Sequence, residues 1–284
     1  MDLFSEAIKI VLEAGRQLTE RKGIDDISEK GPTDYVTAVD VRVQKMIFEK
    51  LSQIDPDVQF LGEEKDNEEI DPQGKIWILD PVDGTTNLIH DFQHSVISLA
   101  YQEAGEVQFG IVYNPFSREL FSGKKGSGAF LNDRRISVSN VRSLSQSLIS
   151  IGTAPGCRED ADRAFARMRR IYDRCQDIRR VGTAALELAY VACGRLDGFY
   201  EGHLHIWDYG AGKLLVEEAG GIVLADQERV FASAPGIAEE FRCIAEEEEN
   251  VLLPSRYRGE KGNIQSQTRR SWSLWSLIQM SFCL

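Results

Sequence analysis

Leu3, Ala7, Ile10, Val11, Ala14 and Leu18 fall at helical spacing until Gly23 stops the pattern, which predicts an amphipathic helix over residues 3–22. From about Asp40 a second stripe, Val43, Met46, Ile47 and Leu51, predicts another helix, ended by Asp55-Pro56. Two short apolar runs, Val58 to Leu61 and Ile76 to Leu79, read as strands. The acidic stretch Gly62-Glu63-Glu64-Lys65-Asp66-Asn67-Glu68-Glu69 between them reads as a loop. From Ser95 to Ser139 the segments Val96–Tyr101, Val107–Tyr113, Glu119–Phe121 and Ala129–Leu131, broken by Gly, Asn and Pro, predict an antiparallel meander.

After the meander the pattern alternates. A strand near Leu148–Ile151 is followed by a charged helix from about Arg158 to Arg174, Ile178–Val181, a helix over Ala184–Cys193, a strand at Gly198–Tyr200, a helix over Tyr209–Ala219 and a strand at Ile222–Leu224. Such alternation favours α/β layering. The expected organisation is an α+β part at 1–140, an α/β part at 141–249 completing a shared site, and an atypical tail at 250–284. That tail carries five basic residues against one acid, a net charge of +4, and ends in an apolar stretch, Ser271 to Leu284, too short to span a bilayer.

The whole chain of 284 residues has a net charge of -12, so the part before the tail carries -16. This surplus argues against a nucleic-acid or anionic-lipid surface, since both are gripped by clustered Lys and Arg. It suits a site where carboxylates recruit divalent cations. Five widely spaced cysteines without a CxxC pair indicate neither a disulfide framework nor a zinc site. With no signal-peptide pattern at the start and no uncharged apolar run of membrane length, a cytoplasmic protein is expected.

The most informative stretch is Trp77-Ile78-Leu79-Asp80-Pro81-Val82-Asp83-Gly84-Thr85-Thr86-Asn87. An apolar strand runs into two aspartates, and a Gly-Thr-Thr sequence then opens a short helix. Two carboxylates thus come near backbone N–H groups that a helix start leaves without acceptors, a combination suited to phosphate held between cation and backbone. Asp-Pro and Asp-Gly are also ordinary turn formers, and Thr85 could merely cap a helix.

Asp80-Pro81-Val82-Asp83-Gly84-Thr85-Thr86-Asn87 resembles the first signature of the inositol monophosphatase family, magnesium-dependent, lithium-sensitive phosphatases related to fructose-1,6-bisphosphatase. Trp207-Asp208-Tyr209-Gly210-Ala211-Gly212-Lys213-Leu214-Leu215-Val216-Glu217-Glu218-Ala219-Gly220-Gly221 resembles the second. Gly62-Glu63-Glu64 and the segment Lys30 to Asp40 match two further family pieces, in the family's order. The resemblance implies a layered αβαβα sandwich and a homodimer. It also implies two or three Mg2+ ions per site, held by Glu63, Asp80, the Val82 carbonyl, Asp83 and Asp208.

The same resemblance implies a water nucleophile activated by a Thr-carboxylate pair, here Thr85 with Asp34, with Glu63 close by. It places Gly84, Thr85, Asp83 and Asp208 against the phosphate and its ester, and Ala184 and Glu201 against a polyol. The expected substrate is a small phosphate monoester, inositol 1-phosphate or a relative. The alternatives are fructose-1,6-bisphosphate, histidinol phosphate and 3'-phosphoadenosine 5'-phosphate, or a scaffold role with the transcription machinery. The sequence departs from the bacterial pattern at His203 and Ile206, and its hairpin after the second signature is short.

Overall fold

A computed structural model describes residues 2–247 apart from 25, 32–33, 68 and 227. The tail expected at 250–284 lies outside the described residues. By the clustering of its contacts the chain forms one compact unit up to Ala245.

In chain order this unit opens with α1 (Leu3–Glu20), a hairpin of β1 (Ile27–Gly31) and β2 (Asp34–Thr37), and α2 (Ala38–Ile54). Then follow β3 (Gln59–Gly62), β4 (Ile76–Asp83), the short α3 (Thr85–Ile89), β5 (Val96–Glu103), β6 (Glu106–Asn114), β7 (Glu119–Lys124), β8 (Gly128–Leu131) and β9 (Arg134–Arg135). Strands β3 to β9 lie side by side in that order, β3 and β4 parallel and the others antiparallel. The predicted meander is the body of this sheet.

The second half contains β10 (Leu148–Ile151), α4 (Ala161–Tyr172), β11 (Asp177–Arg179), α5 (Ala184–Ala192), β12 (Gly198–Gly202), α6 (Ile206–Glu218), β13 (Ile222–Ala225), β14 (Arg229–Ser233) and α7 (Ala238–Glu246). Its sheet has the order β11-β10-β12-β14-β13, parallel across the first three strands and antiparallel across the rest.

The layering follows from what each face buries. All eight residues of β4 are buried. Trp77 and Leu79 join a core with Val11, Leu18, Val43 and Ile47 of α1 and α2. Ile76 and Ile78, on the opposite face, join a core with Leu188 of α5 and Leu215 of α6. That second core continues through Ile149, Phe199 and Phe231 of the five-stranded sheet to Ile171 of α4 and Phe241 of α7. Helices, sheet, helices, sheet, helices is the expected αβαβα sandwich.

The middle helices can lie between two sheets because their surfaces are apolar or small on more than one side. A Cβ at Gly110 of β6 would lie 2.8 Å from the Ala211 carbonyl oxygen, and one at Gly212 would lie 2.7 Å from Leu188 Cβ. These close approaches carry Asp208 to the ends of the strands. The hairpin β1–β2 lacked any strand pattern in the sequence, since Ile27-Ser28-Glu29-Lys30-Gly31 has one apolar residue.

Candidate active site

Strand β4 delivers the first acids. Its register against β5 is regular through Asp80 opposite Ser98 and then shifts before Asp83, which pairs with Val96. This irregularity, at Pro81, re-aims the strand end as β-bulges do. Asp80 is 2% exposed and accepts the Val82 amide at 2.9 Å. Asp83 is also buried, and its Oδ2 accepts the Ala185 amide at 2.6 Å. A residue of the seven-stranded sheet thus caps a helix that packs toward the other sheet, with its charge at the favourable end of α5.

Gly84 then turns with φ +90, where a Cβ would lie 2.5 Å from Thr183 Oγ1, so glycine is required on both conformational and steric grounds. Thr85 is the first residue of α3, not its cap, and Gly84 holds the cap position. The Thr85 hydroxyl lies 3.0 Å from Asp40 Oδ1 and 3.1 Å from the Val82 carbonyl. A hydroxyl–carboxylate pair is thus seen between Thr85 and Asp40, while the side chain of Asp34, the expected partner, lies outside what the structure describes. Asp40 is fully buried in the first turn of α2, where Thr37 donates to its Oδ2 through the hydroxyl at 2.5 Å and the amide at 2.9 Å. Burial raises the Asp40 carboxyl above its ordinary value, opposed by the bonds from Thr37 and Thr85.

Glu63 stands on the turn after β3. Asp208, third in α6, accepts the His205 amide at 2.6 Å and so caps its helix while facing the other acids. Burial, followed by the charges of Glu63, Asp83 and Asp208, pushes Asp80 well above the carboxylate range. Burial, followed by the charge of Asp208, does the same to Asp83. Glu63 and Asp80 lie within hydrogen-bonding reach of one another, which likewise raises the Asp80 carboxyl. The donor set still fits a hard cation, because buried carboxylate oxygens facing one another are what Mg2+ neutralises.

The expected site residues other than Asp34 line a cleft of two adjoining cavities. One of about 540 Å³ is lined by Glu63, Asp80, Val82, Asp83, Gly84, Thr85 and Asp208. The other, about 370 Å³, adds Ala184 and Glu201. Both include Arg180, which sequence reading did not single out and which donates to Thr153 Oγ1 at 3.0 Å. Glu187 also went unnoticed. Fully buried, it accepts the Val181 amide at 2.9 Å and the Thr183 amide at 3.3 Å, and with Ser150 it fixes the loop before α5.

Glu201 is 6% exposed and accepts the Ala154 amide at 3.1 Å, and a Cβ at Gly152 would overlap its carboxylate. Burial, then the neighbouring charge of Glu187, pushes its carboxyl from 4.5 up to about 7, against the Ala154 amide and Arg180. The folded state therefore holds more protons than the unfolded one between pH 4.5 and about 7, and stability falls as pH rises through that window. The loss amounts to ~3 kcal/mol once pH exceeds the folded pKa. Urea denaturation at pH 5 and pH 8 should show that Glu201→Gln escapes this fall. An unchanged pH dependence in that variant would reject the assignment.

A model of the inositol monophosphatase family matches residues 1–259. The chain belongs to the inositol monophosphatase family. The match runs past Glu249, where the family-like body was expected to finish. An inositol-1-monophosphatase of Rhizobium meliloti is 40% identical over 222 residues, 77% of this chain and 84% of that protein. The Nus factor SuhB of Escherichia coli K12 is 37% identical over 220 residues, 76% of this chain and 82% of the relative. The solved structure of the Thermotoga maritima IMPase superposes with a TM-score of 0.79 at 34% identity, covering 86% of this chain and 97% of that one. Among the described residues no helix is long and apolar enough to cross a membrane.

Proposed function

We propose that this phosphatase-family chain is a Mg2+-dependent phosphomonoesterase acting on inositol 1-phosphate or a related polyol or sugar phosphate. The observation that carries the reading is the hydrogen bond from Thr85, after the end of β4, to buried Asp40 of α2, behind a cleft lined by Thr85, Glu63, Asp80, Asp83 and Asp208. Glu63, Asp80, the Val82 carbonyl, Asp83 and Asp208 would hold the cations. When bound, Mg2+ supplies Lewis acidity that stabilises charge on phosphoryl and leaving oxygens and makes water more acidic.

The protein's own groups handle the proton. With Thr37 on Oδ2, Asp40 has Oδ1 to offer Thr85, so the hydroxyl donates inward and turns its lone pairs to the cleft. There it accepts a hydrogen bond from the attacking water, and its proton passes to Asp40, whose raised carboxyl is a stronger base than an ordinary aspartate. The amides of Gly84 at the cap and Thr85 in the first turn would face phosphate oxygens. Ala184 and Glu201 form the wall for the alcohol, with the Glu201 carboxylate accepting from ring hydroxyls.

A homodimer and a cytoplasmic location are part of this reading, both by likeness to the family. The relatives named Nus factor SuhB favour a second reading, in which the fold serves mainly as a scaffold for the transcription machinery in place of catalysis. Phosphate release from inositol 1-phosphate, fructose-1,6-bisphosphate, histidinol phosphate and 3'-phosphoadenosine 5'-phosphate, with Mg2+ and with or without Li+, decides between them. Mg2+-dependent, Li+-inhibited release, fastest from inositol 1-phosphate, is expected. Folded protein that releases phosphate from none of these at saturating Mg2+ would leave the partner reading.

A further inference from the structure

Of the four acids facing one another in the cleft, Asp80 and Asp83 belong to β4 and Asp208 to α6, whereas Glu63 stands on a turn. A side chain on a turn has no helix or sheet ladder on both sides to fix it. The Glu63 amide donates to the Leu79 carbonyl at 3.2 Å, the last such bond beyond β3. The residues on either side are held by two side-chain amides, each acting as donor and acceptor at once.

Gln44 Nε2 donates to the Glu64 carbonyl at 2.7 Å, and the Glu64 amide donates back to Gln44 Oε1 at 3.1 Å. Asn67 treats Gly62 in the same way: the Gly62 amide donates to Oδ1 at 3.1 Å and Nδ2 donates to the Gly62 carbonyl at 2.8 Å. Gln44 is 7% exposed, and a Cβ at position 62 would overlap its amide, so the glycine admits it. Gln44 follows Asp40 by one turn on α2, on the same face. One buried helix face thus carries the carboxylate behind Thr85 and a clamp behind Glu63.

We propose that Gln44 and Asn67 are positioning residues that hold Glu63 toward the cleft and so set the affinity for the cation it ligates. The inference rests on the reading of Glu63 as a cation ligand. Partners that orient a ligating group change metal affinity by about 10- to 100-fold when removed.

The test titrates the full-length protein with Mn2+ alone, following loss of the free-ion electron paramagnetic resonance signal, for wild type, Gln44→Met, Asn67→Ala, Glu63→Gln and the Gln44→Met/Glu63→Gln double variant. Met preserves volume while removing both hydrogen bonds. Gln44→Met and Asn67→Ala should each weaken Mn2+ binding, the first by ~10-fold, with turnover largely recovered at saturating metal. In the Glu63→Gln background Gln44→Met should add nothing, because both act through one side chain. Wild-type affinity in both single clamp variants would overturn the proposal, as would an undiminished loss in the Glu63→Gln background, which marks a merely structural role. Unchanged Mn2+ binding in Glu63→Gln alone would instead refute the ligand reading. Should Gln44→Met not fold, half-buried Asn67→Ala and its own double variant carry the same test.

Discussion

Asp83→Asn should lower Mg2+-dependent phosphate release by at least ~10³-fold and leave the protein folded. A charge that holds the cation is worth several kcal/mol in the transition state, and each ~1.4 kcal/mol is a factor of ten. The amide oxygen can still accept from Ala185, so the anchor of α5 survives. Removing the charge also relieves repulsion with Asp208, Glu187 and Glu201, so the melting temperature should be equal to or above that of wild type. Turnover at saturating Mg2+ and a thermal melt check both halves. Wild-type turnover in Asp83→Asn would sink the assignment of Asp83 to the metal site.

The second large effect concerns the proton. Asp40→Asn and Thr85→Val should each cost ~10²- to 10⁴-fold in kcat, the range of general base catalysis. Together they should cost little more than either alone, because they act as one unit. Asp34→Asn is the comparison that decides the partner. A loss at Asp34 as large as at Asp40, measured at saturating Mg2+, would return the role to Asp34.

The Thr85–Asp40 contact illustrates what a sequence can carry. The acids of β4 were legible because an apolar strand ending in Asp80-Pro81-Val82-Asp83-Gly84 is local, and Asp208 because its motif is continuous. Asp40 was not. In sequence it reads as the third residue of a helix behind Thr37, an ordinary capping pair, and that bond is indeed made. Its other oxygen meets a hydroxyl 45 residues away, a contact created only when α2 packs on the sheet.

Glu187 was hidden for a related reason. A single acid in Ala184-Ala185-Leu186-Glu187-Leu188-Ala189 looks like a solvated position on an apolar helix, until the helix is buried on more than one side. Arg180 stood among many arginines, and nothing local set it apart. The strands of the meander and the helices at 3.6-residue spacing were recoverable because each buries one face against a layer. In the β1–β2 hairpin the one apolar residue of β1, Ile27, is 42% exposed, and the hairpin left no such mark.

The hydrogen bond from the Ala185 amide to Asp83 has a practical consequence. It makes one backbone proton in the second half of the chain sensitive to the ionisation and occupancy of a group supplied by the first. Deuterium exchange at that single amide can therefore serve as an internal gauge of the acidic cleft, read by mass or magnetic resonance without any substrate turning over.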